Sequence, residues 1–310
     1  MKITNNYNLP VPVYQALAYN GYDKHGRYST TGIIDSPRIH FLRKRHDAEI
    51  VVDAMDQFFM LRGSAVHHML ELADNNSAII EQRFLHNHNG TLISMKPDMV
   101  WPEDIENNIY TMYDYKTCST WVSRMNKPKE EWVKQLNLMR LGFHDKGMNI
   151  TKLAIVAFFS DWSALEAKKN LGGNYPQQPI MIINVPLMDI EAIRSYLDTR
   201  ITLFDACESL PDSQLPMCTD AERWGAPNKY AVCHYKDGKM GNAVKGGGSF
   251  ETAEEAEEYR KTCTKPDVKK VQFRPGNDKR CNMYCTLRPF CSRFSKVIDK
   301  DVETEEPDPF

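Results

Sequence analysis

Pro97-Asp98, fifteen intervening residues and then Asp114-Tyr115-Lys116 form the arrangement that most narrows what this chain can become. On a surface helix, Asp-x-Lys would be only a solvated charge pattern. Here it is preceded by Ile109-Tyr110-Thr111-Met112-Tyr113, a run rich in β-branched and aromatic residues that predicts a strand. Side chains two apart on a strand share a face, so the carboxylate of Asp114 and the ammonium of Lys116 project together. Asp98 is expected to end the preceding strand, beside them. Hard oxygen ligands for Mg²⁺ or Mn²⁺ and a cation close to the attacking water are the set that phosphodiester hydrolysis needs.

The surrounding pattern predicts an α/β architecture, a mixed central sheet flanked by helices. Ala78–Phe84 and Thr91–Met95 read as strands joined by a turn at Asn87–Gly90, an Asn-Gly hairpin signal. Leu153–Phe159 and Ile180–Val185 read as further strands. Trp132, Leu136, Met139 and Phe143 lie on one face of a helix that Gly147 should stop, and Asp189 begins another that runs to about Cys207. Residues 1–30 have no clear period and read as irregular. A short helix is expected after Pro37, a longer one over Glu49–Phe59, and a third after Gly63. On this third helix His67 and Glu71 stand at i and i+4, on one face, as candidates for the site, while His68 points elsewhere.

The opening MKITNNYNLP has no apolar leader core, and no apolar run approaches the roughly 20 residues of a membrane span. A reducing cytoplasm is expected, with no membrane partner, so the eight cysteines read as thiols or metal ligands rather than disulfides. Cys281, Cys285 and Cys291 fall within eleven residues and need a fourth ligand to complete a tetrahedral zinc or a cubane cluster. Cys218, in a Pro-flanked loop, is the first choice and Cys263 the second. Cys118 follows the Asp-x-Lys strand closely. Cys207 and Cys233 fall in helix and strand patterns and read as ordinary thiols.

Gly63-x3-His67-x3-Glu71, Pro97-Asp98, Asp114-x-Lys116 and the downstream helical Gln135 together resemble the RecB-type branch of the PD-(D/E)xK nuclease superfamily. Met139 stands where that branch often has a tyrosine. The resemblance implies a restriction-endonuclease-like core with His67, Asp98, Asp114 and the Tyr115 carbonyl as ligands to one or two Mg²⁺ or Mn²⁺ ions. Lys116 would lie near the nucleophilic water, with Gln135 in support and Glu71 on the same helical face as His67. Some members of the branch carry a [4Fe–4S] cluster on one distant and three C-terminal cysteines. The segment Met217–Trp224, Phe273-Arg274-Pro275-Gly276 and the last three cysteines are similar to phage-encoded nucleases of that kind. The resemblance therefore implies an iron–sulfur cluster on Cys218, Cys281, Cys285 and Cys291, with structural zinc as the alternative.

The expected organisation is an N-terminal DNA-contact segment (1–62), a nuclease core (63–210), a cysteine-cluster region (211–298) with a small β-β-α insert (224–273), and an acidic tail (299–310). The net charge is only −2, but residues 260–300 hold twelve lysines and arginines against three acids, and residues 24–46 six against one. Two basic stretches on an otherwise acidic chain form a candidate phosphate footprint, for DNA held by its backbone with little sequence preference. The expected activity is that of a DNA exonuclease in phage-type recombination, repair or degradation. A non-catalytic DNA-end-binding module and a sequence-specific endonuclease on the same core are the alternatives. The tail, with five acids over residues 301–310 and a terminal Asp308-Pro309-Phe310, reads as disordered. It resembles the Pro-Phe-ending tails of single-stranded-DNA-binding proteins, which implies a replication or repair partner.

Overall fold

Residues 109–118 and 149–159 form the two longest strands and lie side by side in parallel. A parallel pair needs a crossover connection, and the amphipathic helix between them supplies it. In this computed structural model, residues 1–19, 25–73, 77–125 and 127–294 are described. The acidic tail and its Asp-Pro-Phe end lie outside the described residues. The chain divides once, after Leu215, into two units.

The first unit contains strands β1 (Lys2–Thr4), β2 (Tyr28–Ser29), β3 (Val51–Asp53), β4 (Ile79–Ile80), β5 (Phe84–His88), β6 (Thr91–Met95), β7 (Met99–Asp104), β8 (Ile109–Cys118), β9 (Asn149–Phe159) and β10 (Ile180–Val185). Its helices are α1 (Val11–Ala18), α2 (Thr30–Ile34), α3 (Pro37–His46), α4 (Phe58–Glu71), α5 (Glu130–His144), α6 (Ala164–Lys169) and α7 (Ile190–Glu208). The central sheet has the order β10-β9-β8-β7-β4 and is mixed: β8 and β9 are parallel, the other neighbours antiparallel. A second sheet, β2-β6-β5, holds the Asn89-Gly90 hairpin, whose two turn residues both take positive φ as a two-residue turn of this hand requires.

Trp132, Leu136, Met139 and Phe143 are buried along one face of α5, as their spacing predicts. Fully buried Asn137 is satisfied on every side. Its amide donates to the Val133 carbonyl (2.8 Å) and the Pro186 carbonyl (3.0 Å), and its oxygen accepts from the Met188 N–H (2.8 Å). It thereby ties the β10–α7 connection to α5.

Several local expectations are corrected. Residues 1–30 contain β1, α1 and β2 rather than irregular chain, and the helix expected over Glu49–Phe59 is instead β3 followed by a short 3-10 turn. β3 pairs in parallel with β1, a contact 49 residues away that local periodicity does not carry. Ala78–Phe84 is not one strand: β4 and β5 belong to different sheets. Asp98 does not end a strand but immediately precedes β7. Among the described residues no helix is long and apolar enough to cross a membrane.

The second unit comprises α8 (Asp220–Arg223), β11 (Gly225–Ala226), β12 (Lys229–Lys236), β13 (Lys239–Ala243), α9 (Ala253–Thr262), β14 (Lys269–Arg274), β15 (Asn277–Asp278) and α10 (Lys279–Met283). The expected β-β-α insert gains a closing strand, β14, in a sheet of order β13-β12-β14.

Replacing Asn137 with alanine removes the partners of a buried N–H and buried carbonyls. Urea unfolding should show a loss of about 3 kcal/mol with an unchanged m-value.

Candidate metal centre and cysteine pocket

β7 and β8 pair only as far as Met99 and Tyr113. Beyond that point the Tyr115 peptide still presents its N–H and carbonyl toward β7, and other groups take them. The Tyr115 N–H donates to Asp98 Oδ2 (2.6 Å), and its carbonyl accepts from His67 Nε2 on α4 (3.2 Å). At Gly63 α4 passes close to β8, where a β-carbon would stand in ordinary contact with Thr117 Oγ1 at 3.5 Å.

The opening between the strands gathers three acids and three bases. His67 Nδ1 lies 2.9 Å from Glu81 Oε1 and 3.6 Å from Asp98 Oδ1. Lys96 pairs with the other Glu81 oxygen. One ligand atom each of His67, Glu81 and Asp98 fall within 4.8 Å of one another, the only such trio of His, Cys, Asp or Glu among the described residues. Asp114 is 1% exposed; its Oδ1 accepts from the Gln135 amide (3.0 Å). Its Oδ2 accepts no aligned hydrogen bond, although the Lys116 ammonium stands 2.5 Å away.

Burial, and then the neighbouring Asp114 carboxylate, pushes Asp98 up to about 7 against the opposing pull of His67, Lys116 and the Tyr115 N–H. Burial also raises Glu81, but the hydrogen bonds from His67 and Lys96 outweigh it and hold Glu81 below the ordinary carboxylate range. The hydrogen bond to Glu81 raises His67 despite burial. Its Nδ1 faces the Glu81 carboxylate and its Nε2 the Tyr115 carbonyl. Buried carboxylates that repel one another, with an under-satisfied Asp114 oxygen among them, fit a divalent cation.

The residues expected from sequence divide clearly. His67, Asp98, Asp114, the Tyr115 carbonyl, Lys116 and Gln135 come together. Glu71 does not: it is exposed near the end of α4 and its carboxylate lies 3.9 Å from His68. The helical turn from His67 to Glu71 carries the carboxylate outward, and Glu81 occupies the place beside His67. Glu81 went unrecognised because Ala78–Phe84 read as one strand; in fact Glu81 turns the chain with a left-handed φ of 49°.

In the second unit, the pairing Gly225↔Asp278 and Ala226↔Asn277 brings the Cys218 segment beside the Cys281 segment. Gly276 permits this approach, because a β-carbon there would meet the Ala226 carbonyl at 2.4 Å. Cys281, Cys285 and Cys291 line a cavity of about 610 Å³ together with Arg223, Arg288 and Arg293. Arg223 bonds the Cys218 carbonyl and Asp278, and Arg293 bonds Asp278 as well. Burial, then the Cys285 thiol, pushes the Cys281 thiol up. Cys218 is tied to the cavity wall through its carbonyl. Cys263, the second choice for a fourth ligand, instead packs in the insert core and its Sγ donates to the Tyr259 carbonyl (3.4 Å).

Neither a family model nor a curated protein matches the chain. Among solved structures, one described as "Crystal structure of SSO0001" is similar with a TM-score of 0.40 and 18% identity, over 62% of this chain and 84% of that one.

Glu81→Gln should weaken Mn²⁺ binding, followed by calorimetric titration, by about tenfold or more, whereas Glu71→Gln should leave it unchanged.

Proposed function

We propose that this chain is a divalent-metal-dependent DNA nuclease with a PD-(D/E)xK core of the RecB type, acting as an exonuclease. The observation that carries the reading is the convergence of His67, Asp98, Asp114 and Lys116 where β7 leaves β8. His67, Glu81, Asp98, Asp114 and the Tyr115 carbonyl are the groups that would hold Mg²⁺ or Mn²⁺. A bound ion of that kind polarises a scissile phosphate and lowers the pKa of a ligated water.

The chain's own residues supply the rest. Gln135 fixes the rotamer of Asp114 through its amide. The Lys116 ammonium, anchored by Asp114, places positive charge where an attacking hydroxide and a crowded phosphate would accumulate negative charge. The Tyr115 N–H holds Asp98 in place, so the carboxylate need not reorganise when phosphate arrives. Lys96 keeps Glu81 ionised next to His67.

The proposal includes an iron–sulfur cluster on Cys218, Cys281, Cys285 and Cys291 that pins the C-terminal segment. Four thiolates around one zinc at about 2.3 Å would stand only about 3.8 Å apart. Cys281, Cys285 and Cys291 line one cavity, with Cys218 held at its wall through Arg223, and the metal content of the purified protein decides between zinc and a larger centre.

Asp114→Asn or Lys116→Ala should reduce Mn²⁺-dependent digestion of end-labelled DNA by at least about a hundredfold while DNA binding persists. Circular DNA should resist the unaltered protein. Near-normal digestion by either variant would remove these residues from the reaction, and rapid cleavage of circles would make the activity endonucleolytic. Purified without oxygen, the protein should be brown, and Cys281→Ser, Cys285→Ser or Cys291→Ser should bleach it. A colourless protein holding stoichiometric zinc would overturn the iron–sulfur assignment but not the nuclease one.

A further inference from the structure

The sheet of the second unit separates charge unusually cleanly. Its strands read KYAVCHYK, KMGNA and KKVQFR, with six lysines and arginines and no carboxylate. The helix packed on it, AEEAEEYRKT, carries four glutamates against Arg260 and Lys261.

Alternation assigns the two faces. Val232, Tyr230 and Val271 point toward α9 and build the insert core with Val244, Ala256, Phe250, Tyr259 and Cys263. The other face holds Lys270, Gln272 and Arg274 on β14, and Lys229, Ala231, Cys233 and Tyr235 on β12. Contacts agree with this assignment. Cys233 Sγ donates to Gln272 Oε1 (3.3 Å), Arg274 reaches Cys233 Sγ at 3.7 Å, and the Lys270 ammonium lies 3.6 Å from the Tyr235 ring centre. Small, fully buried Ala231 and Cys233 therefore form a floor beneath long cationic side chains. Lys270 and Arg274 are exposed and take part in no ion pair among the described residues. At the tip of the β12–β13 hairpin, Asp237 and Gly238 make a tight turn of positive φ, flanked by the exposed lysines Lys236 and Lys239.

We propose that this basic face and its hairpin tip form a second binding surface for duplex DNA, directed at the phosphate backbone and distinct from the metal centre. Three features select this ligand. Lys270, Gln272 and Arg274 repeat every second residue, roughly 7 Å apart, giving a cation, an amide and a cation in line along one strand. Such groups bond phosphate oxygens without reading sequence. The β12–β13 ribbon is of a size that a major groove about 12 Å wide admits. The α9 face, with four glutamates against Arg260 and Lys261, would attract the same polyanion less.

The inference does not rest on the nuclease reading, and its test keeps the two apart. The full chain carrying Asp114→Asn is titrated, in EDTA, with short fluorescent duplexes of two unrelated sequences over a salt series, so cleavage plays no part. Lys270→Gln combined with Arg274→Gln should weaken binding to both duplexes by about tenfold and flatten the log–log salt slope by about two. Lys270→Arg with Arg274→Lys should retain affinity and slope. Lys236→Gln with Lys239→Gln, at a solvent-exposed tip where folding is not at stake, should flatten the slope similarly. Unchanged affinity and slope in both glutamine pairs would overturn the proposal, as would a loss confined to one of the two sequences.

Discussion

The Tyr115 peptide is the point on which the first unit turns. A buried strand residue must pair both its N–H and its carbonyl. Tyr115 lies on a central strand whose neighbour β7 has already departed, so it cannot satisfy them by strand pairing on that side. Asp98 and His67 satisfy them instead. One unmet demand of the sheet thus draws in a carboxylate from the start of β7 and an imidazole from α4, and sets the carboxylate near Asp114. Geometry that elsewhere would be a frayed sheet becomes a pocket with fixed walls.

That pocket is electrostatically tense. Asp98 and Asp114 are nearly buried, and the first responds by rising toward neutral pH. Glu81 adds a third carboxylate and holds a left-handed backbone that a non-glycine residue adopts at a cost of about 1–3 kcal/mol. His67 and Lys96 fasten both Glu81 oxygens, which is how the turn persists. Lys116 answers Asp114 in the same way. Three acidic side chains face two lysines and an imidazole in one small opening, a donor set that a divalent cation would draw together.

How much of this could be read from sequence depends on the range of the interaction. Asp114, Lys116 and the buried face of α5 follow from strand and helix periods, which are local. Gln135 enters only through the family resemblance, since its helical position alone does not aim it at Asp114. Glu81 was hidden because residues 78–84 are apolar enough to pass for one strand, and nothing local marks the left-handed turn that splits them between two sheets. Glu71 was misplaced because i,i+4 spacing tells that two residues lie on the same side of a helix but not that the sheet reaches both. β3 was mistaken for helix because its partner is the N-terminal strand. In the second unit the three clustered cysteines are evident from spacing. That Cys263 lies in the insert core depends on β14 closing the sheet, which the basic, weakly alternating KKVQFR did not announce.

Charge is the property in which the whole-chain figure misleads most. A net charge of −2 argues against attraction to a polyanion, yet attraction follows local potential, not the sum. Within roughly 8–10 Å, the screening length at moderate salt, a ligand meeting the β12–β14 face encounters lysine, arginine and amide, with one carboxylate, Glu251, paired to Lys229. A ligand meeting α9 encounters glutamates, one of which, Glu257, is already held by Arg260. The core of Val232, Val244 and Ala256 keeps these two surfaces back to back. A near-neutral chain can therefore present DNA with a more and a less attractive side of a single small unit, and the less attractive side lowers nonspecific attachment in other orientations. Adding net positive charge would raise affinity but forfeit that orientation. The segregation of acids onto the helix and bases onto the sheet gives the backbone a direction of approach, which uniform basicity could not.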